Sequence, residues 1–153
     1  MVDGKEGKKY DEINKFVFSP DGEKVAYITY SKGEWITKSK ICVDKIEGKR
    51  LRRIMEIDFT PKFKLKPFTP PSYIKTPIEI IFTPDSKHLI YKAKKEEKSK
   101  IKYVIGIEGK IETPEYDGFL EGSSIVFDAP NLFHTIAIKN GEMFLVEVEI
   151  KEK

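Results

Sequence analysis

One pattern constrains this chain more than any other: an apolar segment, a Pro-Asp turn and a second apolar segment, repeated. It reads Phe16-Val17-Phe18-Ser19-Pro20-Asp21-Gly22-Glu23-Lys24-Val25-Ala26-Tyr27 and returns as Ile80-Ile81-Phe82-Thr83-Pro84-Asp85-Ser86-Lys87-His88-Leu89-Ile90-Tyr91. A degraded third copy is Ile125-Val126-Phe127-Asp128-Ala129-Pro130-Asn131-Leu132, followed by His134-Thr135-Ile136-Ala137-Ile138. The physical content is turn chemistry. Proline presets φ near about −65°. Aspartate accepts hydrogen bonds from nearby amides, and glycine takes the left-handed conformation that closes a short loop. Pro20-Asp21-Gly22 therefore predicts a hairpin; Pro84-Asp85 lacks the glycine, and Pro130-Asn131 relies on asparagine instead.

A second marker, Val-x-x-x-Glu-Gly-Lys, occurs at residues 2–8, 43–49 and 104–110, with a truncated version over residues 148–153. Its glutamates at 6, 47, 108 and 152 are separated by 41, 61 and 44 residues. Two of these intervals match the roughly 40–45-residue period of a four-stranded propeller blade, and the third carries extra residues. In the first interval strands are predicted near 13–18, 24–30 and 35–43, with a fourth after Gly48. Asn140-Gly141 is a strong two-residue hairpin signal. No stretch has a convincing helical period, although Leu51–Ile57 leaves one or two helical turns open.

Phe18 to Tyr27, as it stands, resembles the WD40-like repeat of TolB-type and prolyl-oligopeptidase-type β-propellers, and Val2 to Asp11 resembles the segment between blades in arrays of that repeat. The resemblance implies an all-β chain of three propeller-type blades of about four antiparallel strands each, in one domain. Their approximate bounds are 1–47, 48–108 and 109–153, with an insert over 49–76 between the first two. It implies a platform for protein contacts or a gate beside another protein's active site, and it does not imply an enzyme: in the peptidase relatives the serine chemistry lies in a separate domain.

Closed propellers have about four to eight blades, so three leave open edges that invite pairing. The expected solutions are a longer propeller of which this is part, a dimer completing six blades, or an open stack of three sheets shielded by the insert. The expected partner is thus another protein or a second copy of the chain.

Composition narrows the function. The net charge of +3 is too weak to argue for nucleic acid or an anionic membrane. Of 28 basic residues only Arg50, Arg52 and Arg53 are arginine, and there is no glutamine, a balance that resembles a thermophile's. The lone Cys42 excludes an internal disulfide and, between Ile41 and Val43, reads as a buried structural thiol. No segment is apolar for long enough to span a membrane. The polar residues 1–7 are not a signal peptide, so a cytoplasmic location is the default expectation, with the cell envelope as the alternative if the chain is a fragment.

Residues 49–76 hold eight basic and two acidic residues, interleaved with Phe59, Phe63, Phe68 and Tyr73. Arg50, Arg52, Arg53, Lys62, Phe63, Lys64, Lys66 and Tyr73, with Trp35, are the candidate binding residues. Interleaved cations and aromatics can grip phosphates and stack bases, which makes a polymer-binding module for nucleic acid or envelope glycan the alternative function. The blander reading is a protective edge: Lys62-Phe63-Lys64-Leu65-Lys66 alternates as a strand, and lysines and prolines block unwanted pairing. His88 and His134 open the strands after their turns; on separate blades they do not make the three or four converging ligands of a metal site. The turn aspartates Asp21, Asp85 and Asp128 read as structural acceptors, Ser123-Ser124 lacks the flanks of a nucleophile elbow, and no phosphate-cradling loop is present. The sequence calls for no cofactor and no metal.

Overall fold

The computed structural model describes residues 12–32, 37–59, 74–97 and 100–151. Among these, regular structure is all β: β1 (Glu12–Phe18), β2 (Lys24–Lys32), β3 (Thr37–Glu47), β4 (Arg50–Asp58), β5 (Ile74–Phe82), β6 (Leu89–Glu97), β7 (Lys100–Ile107), β8 (Ile111–Glu112), β9 (Gly118–Phe119), β10 (Val126–Ala129), β11 (Leu132–Lys139) and β12 (Glu142–Glu149). They form three antiparallel four-stranded sheets. Sheet I runs β1-β2-β3-β4 and sheet II runs β5-β6-β7-β8; in sheet III, β11 pairs with β12 on one side and with β9 and β10 on the other. The all-β class and the three four-stranded sheets expected from the repeat are what the chain adopts.

The helical option for residues 51–57 is wrong. They lie in β4, paired with β3 from Glu47↔Arg50 to Lys40↔Asp58. A short, partly apolar segment satisfies either period, and here the open edge of β3 supplies the hydrogen-bond partners that decide it. Residues 50–58 of the interval 49–76 are therefore the fourth strand of the first sheet.

The first two Pro-Asp turns are built alike. Gly22 N–H donates to Ser19 O at 2.8 Å and Ser86 N–H to Thr83 O at 2.8 Å. The hydroxyls of Ser19 and Thr83 each donate to the aspartate two residues on, at 2.6 Å, and accept the amides of Lys24 and His88. Gly22 and Ser86 occupy the same left-handed conformation, at φ 74° and 63°. The third turn is different: Ala129 pairs directly with Leu132 around Pro130 and Asn131, and Asn131 is not among the residues with positive φ. Asn140 and Gly141 both have positive φ, as a tight hairpin of primed type requires.

Strand alternation assigns each face. In β2, Ala26 and Ile28 join Ile41 and Val43 of β3 in a core against Ile80, Phe82, Leu89, Tyr91 and Ala93 of sheet II. The intervening side chains of β6 point the other way: Ile90, with Ile105 and Ile107, packs against Phe133, Ala137 and Val146 of sheet III. Sheet II is thus covered on both faces, which explains why the start of β6, Leu89-Ile90-Tyr91, reads apolar without alternation. Tyr103 bridges Tyr116, after which Asp117 N–H donates to Ile138 O at 2.8 Å. The chain passes there from sheet II to sheet III.

Candidate functional site

The candidate binding residues split into two groups. Arg50, Arg52 and Arg53 lie on β4. Lys62, Phe63, Lys64, Lys66, Tyr73 and Trp35 fall outside the described residues, as does the segment 2–11.

Two of the three arginines are engaged within sheet I. Arg52 Nε lies 2.8 Å from Glu47. Arg53 donates to Asp44 at 2.5 Å, to Glu56 at 2.7 Å and to the Tyr27 hydroxyl at 3.0 Å. Tyr27 in turn donates to Asp44 at 2.7 Å. Burial first, then this bond to a carboxylate, push the Tyr27 hydroxyl well above the ordinary tyrosine range. The network covers Cys42, which is buried with Val25 and Tyr27 as its run of apolar neighbours predicted.

The turns gather at the joints between sheets. Ser86 Oγ accepts the Asp21 N–H at 3.0 Å, and Ser86 O accepts Lys24 Nζ at 2.6 Å. The hydroxyls of Ser19 and Thr83 hold the Asp21 and Asp85 carboxyls below the usual carboxylate range. Between the second and third turns lies an open cleft of about 590 Å³, lined by Asp85, Pro130, Asn131, Glu149, Ile150 and Lys151.

His88 precedes β6 and lies 3.3 Å from Glu108; His134 is inside β11 rather than at its start, 2.6 Å from Asp128. The two imidazoles pair with carboxylates of different sheets, II and III. Among the described residues no group of three or more His, Cys, Asp or Glu could hold a metal ion. Nor is any helix there long and apolar enough to cross a membrane.

Two features escaped sequence reasoning. The first is Lys92, 2% exposed in the joint between sheets II and III. Its Nζ lies 3.2 Å from Ser123 O, 3.4 Å from Thr135 Oγ1 and 3.4 Å from Glu79, over the Phe119 ring at 4.4 Å. A lysine at the centre of Leu89-Ile90-Tyr91-Lys92-Ala93 was the available signal. The second is the outer face of each end sheet. On sheet I, Phe16 and Phe18 are 60% and 66% exposed; on sheet III, Met143 and Leu145 are 67% and 66% exposed. Four consecutive apolar residues, Met143 to Val146, after the Asn-Gly turn were the clue that both faces of β12 are apolar.

No protein-family model, no curated protein and no solved structure matches this chain.

Proposed function

We propose that this protein is a non-catalytic assembly module of the WD40-like propeller type, which works by offering the outer faces of its end sheets to another protein. The single observation that carries the reading is that both ends of the three-sheet stack turn large apolar side chains outward: Phe16 and Phe18 at one end, Met143 and Leu145 at the other. Exposed apolar area of this kind, on rigid strands, marks an interaction surface. The arrangement of acid and base groups supports the non-catalytic side. Asp21 and Asp85 are committed to their own turns, and His88 and His134 are each paired with a carboxylate of their own sheet. A polymer-binding role has less support, because Arg52 and Arg53 are already held by Glu47, Asp44 and Glu56.

The test is chemical cross-linking of the 153-residue chain in an extract of its source, with Phe18→Glu and Leu145→Glu compared with the unaltered protein. Cross-links to self or to other polypeptides that vanish in one or both variants are expected. An identical pattern in all three proteins overturns the reading.

A further inference from the structure

The repeat allows the two end faces to be compared with the faces already packed inside the molecule. At the joint of sheets I and II, one side is supplied by Ala26 and Ile28 with Ile41 and Val43, the other by Leu89, Tyr91 and Ala93. At the joint of sheets II and III, Ile90 with Ile105 and Ile107 faces Phe133 and Ala137, and Lys92 reaches Thr135. Aligned on their turns, Ala26 corresponds to Ile90, and Val25 and Tyr27 to Leu89 and Tyr91. Each sheet therefore has one face of a leading kind and one of a following kind, and both internal joints set a leading face on a following face.

The two faces left over are one of each kind. On sheet III the outer side of β11 and β12 carries Ile136 and Ile138, in register with Leu145 and Met143. This is the leading face. On sheet I the outer side carries Val25 and Tyr27, with Phe16 packed on Tyr27 at 5.6 Å and Phe18 in register with Val25, beside the Asp44–Arg53 pair. This is the following face.

We infer that the partner is a second copy of this chain, packed head to tail, with the outer face of sheet III in one copy on the outer face of sheet I in the other. Two copies close a ring of six sheets through two such joints. The inference rests on the assembly reading above and names its partner.

Three arguments select this occupant. The first is continuity: the new joint repeats the pairing of faces used twice within the chain. The second is area. With strands about 4.8 Å apart rising about 3.4 Å per residue, the 22 residues of β9 to β12 span about 360 Å². A joint then removes about 700 Å² and two joints about 1,400 Å², within the range of specific complexes. The third is charge. The outer side of β12 carries Glu147 and Glu149 and no cation, so packing sheet III on its own copy would oppose like charges. A head-to-tail contact that closes gives a finite ring, and six sheets fall within the range that closes in propellers.

The experiment is the mass of the full chain in solution by light scattering, followed by cross-linking. The expected mass is about 35 kDa, twice 17.7 kDa. Leu145→Glu and Phe18→Glu, one on each face, should each halve it while circular dichroism stays unchanged. Met143→Lys is a second variant on the sheet III face should Leu145→Glu fold poorly. A short bis-maleimide should join Leu145→Cys of one chain to Phe18→Cys of another in a mixture, and neither variant to itself; unaltered protein, with only the buried Cys42, is the control. A monomer at all concentrations, a larger polymer, or cross-links of Leu145→Cys to itself overturns the inference. These results leave the assembly reading standing if the face variants still lose cross-links to another protein. If no cross-link responds to the variants, the reading itself fails.

Discussion

The Ser86 hydroxyl accepts the backbone N–H of Asp21 at 3.0 Å and so ties the turn of sheet I to the turn of sheet II. Ser86 stands where the first repeat has Gly22, and it holds a φ of 63° that a glycine would adopt without strain. The repeat has exchanged an easy conformation for a bond between sheets. Ser86→Ala keeps the strain and loses the bond, and should cost about 1–2 kcal/mol in urea unfolding. Ser86→Gly loses the bond but relaxes the backbone, so it should cost clearly less. Equal losses for the two variants would mean that the strain at this turn is negligible.

Lys92 closes the other joint with a cation. Its side chain is buried among Ser123, Thr135 and Phe119, while its carboxylate partner Glu79 keeps 37% of its side chain in water. Removing the lysine thus strands no fully buried charge. Lys92→Ala should cost about 3 kcal/mol, mostly for the cavity left by the stem. Lys92→Met, which keeps the stem, should cost about 1 kcal/mol. Denaturant midpoints of both variants check this; a methionine variant as unstable as the alanine one would show that the charge, not the packing, holds the joint.

The sheets were legible because their signals are local. Pro20-Asp21-Gly22, Pro84-Asp85 and Asn140-Gly141 fix hairpins through φ preferences and nearby acceptors; the Glu47-Gly48-Lys49 and Glu108-Gly109-Lys110 markers, which set the expected blade bounds, instead lie inside sheets I and II, where a third strand turns into a fourth. β4 was ambiguous because Leu51, Ile54, Met55 and Ile57 fit two periods and only the neighbouring strand decides between them. The partners of Arg52 and Arg53 were illegible for a related reason: sequence shows a cluster of charge, whereas the strand register brings Asp44 beside Arg53 and Glu47 beside Arg50. The fate of Lys92 depends on Phe119 and Thr135, which come from a different repeat and have no fixed spacing from it.

Gly106 makes room for a tyrosine. A Cβ added there would lie 2.0 Å from Tyr91 Cζ and 2.2 Å from its hydroxyl oxygen. Tyr91 has no easy retreat: it is 1% exposed, meets Phe59 edge to face at 5.2 Å and donates to Glu112 at 3.0 Å. Gly106→Ala should therefore cost about 2–3 kcal/mol through overpacking. In a Tyr91→Leu background the same substitution should cost much less, so a double-mutant cycle on unfolding free energies isolates the clash. Additive effects would place the cost in the backbone of β7 instead.

Tyr27 and Tyr91 predict how the fold fails in alkali. Both hydroxyls are pushed up, first by burial and then by an adjoining carboxylate, Asp44 for Tyr27 and Glu112 for Tyr91. In the unfolded chain they ionise near their ordinary value of about 10. The folded state therefore holds these protons more tightly, and its stability falls as pH rises past that value towards the folded pKa. Below it the contribution is fully present. Unfolding midpoints should be level from neutrality to about pH 10 and then decline, with the tyrosinate absorbance of two residues appearing only as the protein unfolds. Tyr27→Phe should remove part of the alkaline decline, at the cost of one partner for both Asp44 and Arg53. If all tyrosines titrate while circular dichroism is still native, the two hydroxyls are not sealed in the sheets as the geometry requires.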